Sequence, residues 1–377
     1  MNSFSPSQVV VLGAGPAGML AALEMSKRHP TTLIAPWLPS PDEPPRVEAV
    51  PCGLVALLVE LGIHPWQVGV ERLYQSRWAA WEHEDLVESA VPVTAHVERP
   101  ALDLALLAKV VACGRVEIRL DKMADVCRAA VEGARRRELQ LIDATGRRAV
   151  SATEKMHPTK PWAARTFFAA THSSTADTGL RIAALPGGFV YRLGAANHIV
   201  VGVVGRGTLI TEKALKLERY LLGCGAGRML EGLPSLGEMM AGKISSASVQ
   251  WTRGKVGLRI GDAALGKDTL SSQGLASGIS EALYAAAIRN EEEQTLFSLR
   301  QIEQWQSHLN SLAHLIARCR FRQEEAWQQY AGFIAARINQ GPQVEAALRA
   351  GSIRPTSALA GIDPGAGSSF PTEFCLS

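Results

Sequence analysis

The run Val9-Val10-Val11-Leu12 passes into Gly13-Ala14-Gly15-Pro16-Ala17-Gly18 and then into an Ala/Leu-rich stretch, and no other part of the chain constrains its fold as much. A strand-sized apolar run, a turn with three spaced glycines and an amphipathic run of helical length predict one β-α-β unit. Its strands cover 8–12 and 31–35, and its helix 16–29. In such a unit the first glycine permits the tight turn and the second lets the backbone approach a dinucleotide pyrophosphate. The third allows close helix–strand packing, and the helix start offers its partial positive charge to the phosphates. Gly13, Ala14, Gly15, Pro16, Ala17 and Gly18 are therefore candidate dinucleotide-binding residues, in the sequence context the motif requires. An acid normally ends the second strand and takes the ribose hydroxyls, but here the chain reads Ala35-Pro36-Trp37. Asp42 or Glu43 from the following loop, or backbone and water, would have to hold the ribose.

At 377 residues the chain is long enough for two or three interleaved substructures around a large core. Its 47% hydrophobic and 20% charged residues argue against both extensive disorder and a membrane protein. A net charge of +3 is too small to point to nucleic acid, so Arg135-Arg136-Arg137 and Arg147-Arg148 read as solvated faces. The six cysteines form no C-x-x-C pair and have no histidine in ligand spacing, so free thiols in a reducing cytosol and no metal site are expected. No basic segment precedes a long apolar run at the N-terminus, and no export is expected. The singly spread histidines read as packing or surface residues, and Trp78 and Trp81 as core more readily than as a pocket wall.

A proline-rich loop follows the first unit, then a helix over 52–62, a Trp-containing strand near 78–81, a helix over 100–113 and strands over 116–120 and 139–142. This alternation predicts a doubly wound α/β core. Strand character from 164 to 205 predicts a sheet that covers a substrate. Helices over 212–223 and 228–240 follow, then a strand over 257–260 and a helix from 272. A broken helical region spans 296–338, and a Gly/Pro/Ser-rich tail closes the chain.

A second chemistry-bearing segment is Gly261-Asp262-Ala263-Ala264, continued by Asp268-Thr269-Leu270-Ser271-Ser272-Gln273-Gly274. A carboxylate at a strand end accepts from a ribityl hydroxyl, and the N–H groups of a helix start stabilise negative charge on a reduced flavin ring. Residues 261–268 also nearly spell a phosphate-binding P-loop, which fails where Asp268 replaces the magnesium-binding hydroxyl. Hydrolase chemistry is not supported, because no G-x-S-x-G is present.

With these residues, the chain resembles the flavoprotein monooxygenase and flavin-dependent halogenase superfamily, with a hydroxybenzoate-hydroxylase type of fold. The resemblance rests on the N-terminal glycine turn, on Val97-Glu98-Arg99-Pro100-Ala101-Leu102-Asp103, on Asp143-Ala144-Thr145-Gly146, and on residues 261–274, in family order. It implies FAD as cofactor, with Gly13, Gly15 and Gly18 on the pyrophosphate and Arg99 near the phosphates or ribityl chain. Gly261 and Asp262 would hold the ribityl, and Ser272, Gln273 and Gly274 would face the isoalloxazine. Arg46 and Glu48 match a loop that passes the flavin, and Glu48 and Asp268 are the candidate catalytic carboxylates. Thr269 stands where the family usually has proline. The implied fold class is α/β, with a discontinuous Rossmann-like FAD domain over 1–160 and 245–295 and a β-rich substrate insertion over 161–244. C-terminal helices over 296–350 and an extended tail over 351–377 complete it.

The family's cycle, in which reduced flavin and oxygen give a flavin hydroperoxide, implies hydroxylation of an aromatic substrate. Electrons would come from transient NAD(P)H or a partner reductase, since no second G-x-G-x-x-G unit is present. Halogenation is the nearest alternative, disfavoured because no Trp-x-Trp-x-Ile-Pro segment occurs. An FAD-dependent reductase or desaturase and a catalytically silent FAD-binding maturation factor stay open. The stretch from Arg318 to Trp327, with Phe333 and Arg337, resembles monooxygenases of tryptophylquinone biogenesis. That likeness implies a peptidyl tryptophan of a partner protein as substrate.

Overall fold

The computed structural model describes residues 8–155, 162–170, 179–195, 198–205, 214–233, 240–241, 245–247, 250–253 and 256–352. The first half runs β1 (Val9–Leu12), α1 (Pro16–Met25), β2 (Thr31–Ala35), β3 (Val47–Pro51), α2 (Cys52–Glu60), β4 (Leu73–Ala80) and β5 (Val87–Glu98). It continues through α3 (Arg99–Ala112), β6 (Val116–Leu120), α4 (Met123–Arg135) and β7 (Gln140–Asp143). A five-stranded sheet places β7, β1, β2 and β6 side by side, with the short strand Leu258–Arg259 outside β7. Every pairing in it is parallel. Strands buried on both faces read as continuous apolar runs, which is why β1 shows no alternation. Val9, Val11, Leu33 and Ile142 pack with α1, α3 and the helix Gly274–Ala287, whereas Val10, Leu12, Ile34 and Leu141 pack with α4.

α1 is buried on nearly every side rather than amphipathic, because it lies between the sheet and two other helices. It ends at Met25, four residues before the expected end. The twelve-residue strand β5 and the helix α4 were not foreseen. Much of β5 faces solvent, so it lacks the apolar run used to find strands.

The second sheet has nine strands in the order Met240–Ala241, Trp162–Ala170, His198–Gly205, Gly188–Ala195, Leu180–Leu185, β4, β5 and β3, with Ser245–Ala247 also on Trp162–Ala170. It draws β3, β4 and β5 from residues 47–98 and joins them to the later strands through a parallel pair, β4 with Leu180–Leu185. The division expected at residue 160 therefore does not follow the sheets, and the β-rich layer enters the chain twice. A helix expected over 228–240 is replaced by the 3-10 turn Gly227–Leu230 and, at Met240, by a strand; 234–239 lie outside the described residues.

Two long helices, Glu291–Arg318 and Glu325–Ser352, close the described chain and lay Trp305, Leu309, Trp327 and Tyr330 against Trp162 and Phe189 of the second sheet and Trp81 just beyond β4. The first begins five residues before the expected start, because the Asn290 side chain accepts from the Glu293 N–H at 2.9 Å and three glutamates follow in the first turn. Helix persists to Ser352 and so takes in the first two residues of the tail expected from 351; 353–377 lie outside the described residues.

Candidate functional site

Gly13 adopts φ +104°, and a Cβ there would lie 2.5 Å from the Ala144 carbonyl oxygen, so only glycine lets β1 turn beside the end of β7. A Cβ on Gly18 would stand 1.9 Å from the Gly13 carbonyl oxygen, which makes Gly18 the point of close helix–turn contact. Gly15 differs from both. A Cβ there meets no atom within 4 Å, so the protein's own packing does not demand glycine at this position. Gly15 is also the N-cap of α1 and offers no side-chain hydrogen bond, leaving the first-turn N–H groups to another acceptor. Open space at Gly15 and first-turn N–H groups without a side-chain cap are compatible with a phosphate there.

The second motif arrives at the same end of the sheet. Gly261 and Gly278 let the Gly274–Ala287 helix approach α1; a Cβ on Gly278 would sit 3.4 Å from Ala17 Cβ and 3.4 Å from Gly261 Cα. Gly274 starts that helix beside Asp262, whose Oδ1 lies 3.8 Å from where a Gly274 Cβ would be. Asp262 belongs to a 3-10 turn, Gly261–Ala263, rather than to the strand end itself. Ser272 holds φ +50°, a left-handed conformation that costs a non-glycine residue of order 1 kcal/mol and is kept where the surroundings fix it. Buried Thr269 Oγ1 has no partner, an orphan polar atom next to the segment expected to face a flavin.

Arg147 Nε lies 3.4 Å from Asp262 Oδ2, and its Nη2 donates to the Lys267 carbonyl oxygen at 3.2 Å. This corrects the reading of Arg147-Arg148 as a solvated face: Arg147 braces the ribityl candidate. Burial pushes the Asp262 carboxyl above the ordinary carboxylate range, with the Arg147 charge working against the shift. Asp143 builds the turn. It accepts from the N–H of Thr145 at 2.9 Å, from the Thr145 hydroxyl at 2.6 Å and from the N–H of Ser151 at 2.8 Å.

Arg99 stands at the start of α3, where β5 ends beside β3. Its Nη1 donates to Glu48 Oε1 at 2.7 Å and its Nε to Asp103 Oδ1 at 2.8 Å. Burial opposes its charge, but the two carboxylates outweigh burial and raise its pKa. Glu48 therefore pairs with Arg99 and not with Arg46, which bonds Glu43 at 2.7 Å. Glu43 is thus directed at Arg46, and Asp42 is exposed.

Asp268 is buried. It caps the turn Thr269–Ser271 by accepting from Leu270 N–H at 2.8 Å and accepts the Tyr330 hydroxyl, which ties this loop to the last helix. Lys267, the near-P-loop lysine, turns inward to the Ser277 hydroxyl, and burial lowers its pKa.

Tyr191 was not singled out in the sequence. Its ring crosses Gly202, where a Cβ would lie 2.0 Å from it. Burial pushes its phenol up to about 12, helped by the nearby Glu48 charge. Cross-strand packing selects this residue, and a single strand's pattern cannot show a partner on the neighbouring strand, here eleven residues away.

Glu281 gives a pH-dependent prediction. Its Oε2 accepts from Gly261 N–H and Gln301 Nε2, both at 2.9 Å, and burial pushes its carboxyl from 4.5 up to about 7. Between those values the native state keeps a proton that the unfolded chain has released, so this group's contribution to stability falls as pH rises. At about 1.4 kcal/mol per unit, the wild-type stability relative to Glu281→Gln should drop by up to roughly 3 kcal/mol from pH 4.5 to 7. Urea denaturation of both proteins across that window checks it; parallel curves would refute the assignment.

No protein-family profile and no curated protein sequence matches this chain. Solved structures do. The peptidyl tryptophan dihydroxylase QhpG, essential for tryptophylquinone cofactor biogenesis, is 17% identical with a TM-score of 0.65, over 86% of this chain and 78% of that one. The myxobacterial chondrochloren halogenase CndH is 16% identical with a TM-score of 0.66, over 91% and 93%. PqsL of P. aeruginosa, solved with 2-aminobenzoylacetate, is 14% identical with a TM-score of 0.62, over 88% and 100%. Among the described residues no helix is long and apolar enough to cross a membrane, and no cluster of three or more metal-ligating side chains occurs. The chain shares the α/β fold of these solved structures, among them an FAD-dependent halogenase.

Proposed function

We propose that this protein is an FAD-dependent monooxygenase that hydroxylates an aromatic substrate. The open space at Gly15, facing the uncapped start of α1, carries this reading, because a dinucleotide pyrophosphate is the group that such a place accepts. When bound, FAD supplies two-electron redox chemistry and the activation of dioxygen. The chain's own residues bind and orient. The α1 N–H groups would hold phosphate, Asp262 would accept from the ribityl hydroxyls, and the backbone of 272–274 would line the ring. The Arg99–Glu48 pair fixes the β3 edge beside them.

Hydroxylation is preferred to halogenation because no Trp-x-Trp-x-Ile-Pro segment occurs. A peptidyl tryptophan is one substrate within the proposal, since a structural neighbour acts on peptidyl tryptophan. NAD(P)H or a partner reductase would supply electrons. The five described cysteines are free, which agrees with a reducing cytoplasm.

The visible spectrum of the purified protein, followed by NAD(P)H-driven reduction and oxygen uptake with aromatic compounds and Trp peptides, tests the proposal. A flavin spectrum with substrate-stimulated oxygen consumption is expected. Bound flavin that is reduced without oxygen consumption would point to a reductase, and halide-dependent product to a halogenase. A colourless protein that takes up no FAD would overturn the reading.

A further inference from the structure

We propose that Trp37 and Arg148 form a clasp for the adenosine end of the dinucleotide, in place of the acid that β2 lacks; this rests on the FAD reading above. Trp37 lies two residues beyond the end of β2 and is 58% exposed. Arg148 ends the 3-10 turn that follows β7. β2 and β7 flank β1 on opposite sides, yet the Arg148 guanidinium carbon sits 5.1 Å from the centroid of the Trp37 ring. The pair therefore bridges the end of β1, from which the Gly13–Gly18 turn springs.

Asp42 is exposed, and other carboxylates near this edge are engaged elsewhere. Glu43 bonds Arg46, Asp143 holds its own turn, and Asp262 faces Arg147. Asp121, whose N–H donates to the Ala35 carbonyl at 3.1 Å, pairs with Arg119 at 2.8 Å. What the edge offers is an indole face with a guanidinium on it. Purine rings stack on such faces whatever their hydrogen-bonding edge, and the cation adds attraction for the ring and the neighbouring phosphates. An exposed tryptophan here would trade its contact with water for contact with adenine, and the ribose would need no carboxylate.

The test uses the full-length protein stripped of flavin, titrated with FAD, ADP, FMN and NADPH by calorimetry and tryptophan fluorescence. Trp37→Ala should weaken FAD and ADP by roughly 5- to 150-fold, the range of one lost base–aromatic stack. FMN binding should stay as in wild type, since FMN has no adenine. Trp37→Phe should restore most of the affinity, and Arg148→Gln should give an intermediate loss. Trp37 is exposed, so the variants should fold, and circular dichroism would verify this. Wild-type binding of FAD and ADP with no loss in Trp37→Ala would overturn the clasp and leave the flavoprotein reading intact. Loss confined to NADPH would also overturn it, as the pair would then serve a nicotinamide nucleotide. A wild-type protein that binds neither FAD nor ADP would overturn both.

Discussion

Replacing Gly15 by valine should yield a folded, colourless protein. Gly15 has extended backbone, φ −79° and ψ 173°, a conformation valine adopts readily, and a Cβ there touches nothing. The loss in stability should stay within about 1 kcal/mol, the difference between glycine and an aliphatic residue at a helix N-cap. The isopropyl group would instead fill the space before the α1 N–H groups. Losing two charge-assisted phosphate hydrogen bonds at about 1.5–3 kcal/mol each lowers FAD affinity by roughly 10²- to 10⁴-fold. Gly18→Ala supplies the contrast. Its Cβ would collide with the Gly13 carbonyl, so stability should drop by about 1–3 kcal/mol and flavin should be lost with it. Thermal melts and flavin stoichiometry distinguish the two variants, and a Gly15→Val protein that kept its yellow colour would sink the site assignment.

Trp327→Ala should be the most damaging core substitution. The side chain is fully buried, donates its indole N–H to the Leu185 carbonyl at 2.7 Å, and meets Trp81 and Trp162 edge to face with ring centroids 5.4 and 4.8 Å away. Truncating it removes about 3–5 kcal/mol of packing and leaves a buried carbonyl unpaired. Since whole domains are stable by only about 5–15 kcal/mol, a large fall in melting temperature or loss of soluble protein is expected. Trp327→Phe keeps the ring and loses the donor, so its cost should be nearer 1–3 kcal/mol. A melting temperature unchanged in Trp327→Ala would show that the last helix does not hold the second sheet. Because Tyr330 of the same helix bonds Asp268, the alanine variant should also loosen the 268–274 loop and weaken flavin binding.

What the sequence determined by itself is what local chemistry dictates. An apolar run, three spaced glycines and a helix start define β1, the turn and α1, because each follows from backbone sterics and from neighbours a few residues away. The strand at 116–120 falls at its expected bounds, and Leu180–Leu185, Gly188–Ala195 and His198–Gly205 lie within the 164–205 stretch whose strand character was expected.

What only the tertiary structure decided is which distant residues meet. Arg147 looked like one of two solvated arginines until the turn at Asp143 carried it to Asp262, 115 residues away. Glu48 was read with Arg46 only as part of a loop that passes the flavin, and the pairing of β3 with β5 brought it to Arg99, 51 residues away. Asp268 had the look of a catalytic carboxylate and became the anchor of Tyr330, because the last helix packs on that loop. The β-rich layer appeared to be one insertion, and pairing of β4 with Leu180–Leu185 joined two. Periodicity reports burial within one element. Partners across a sheet or between layers are set by pairing register and helix packing, and their sequence separations leave no local pattern to read.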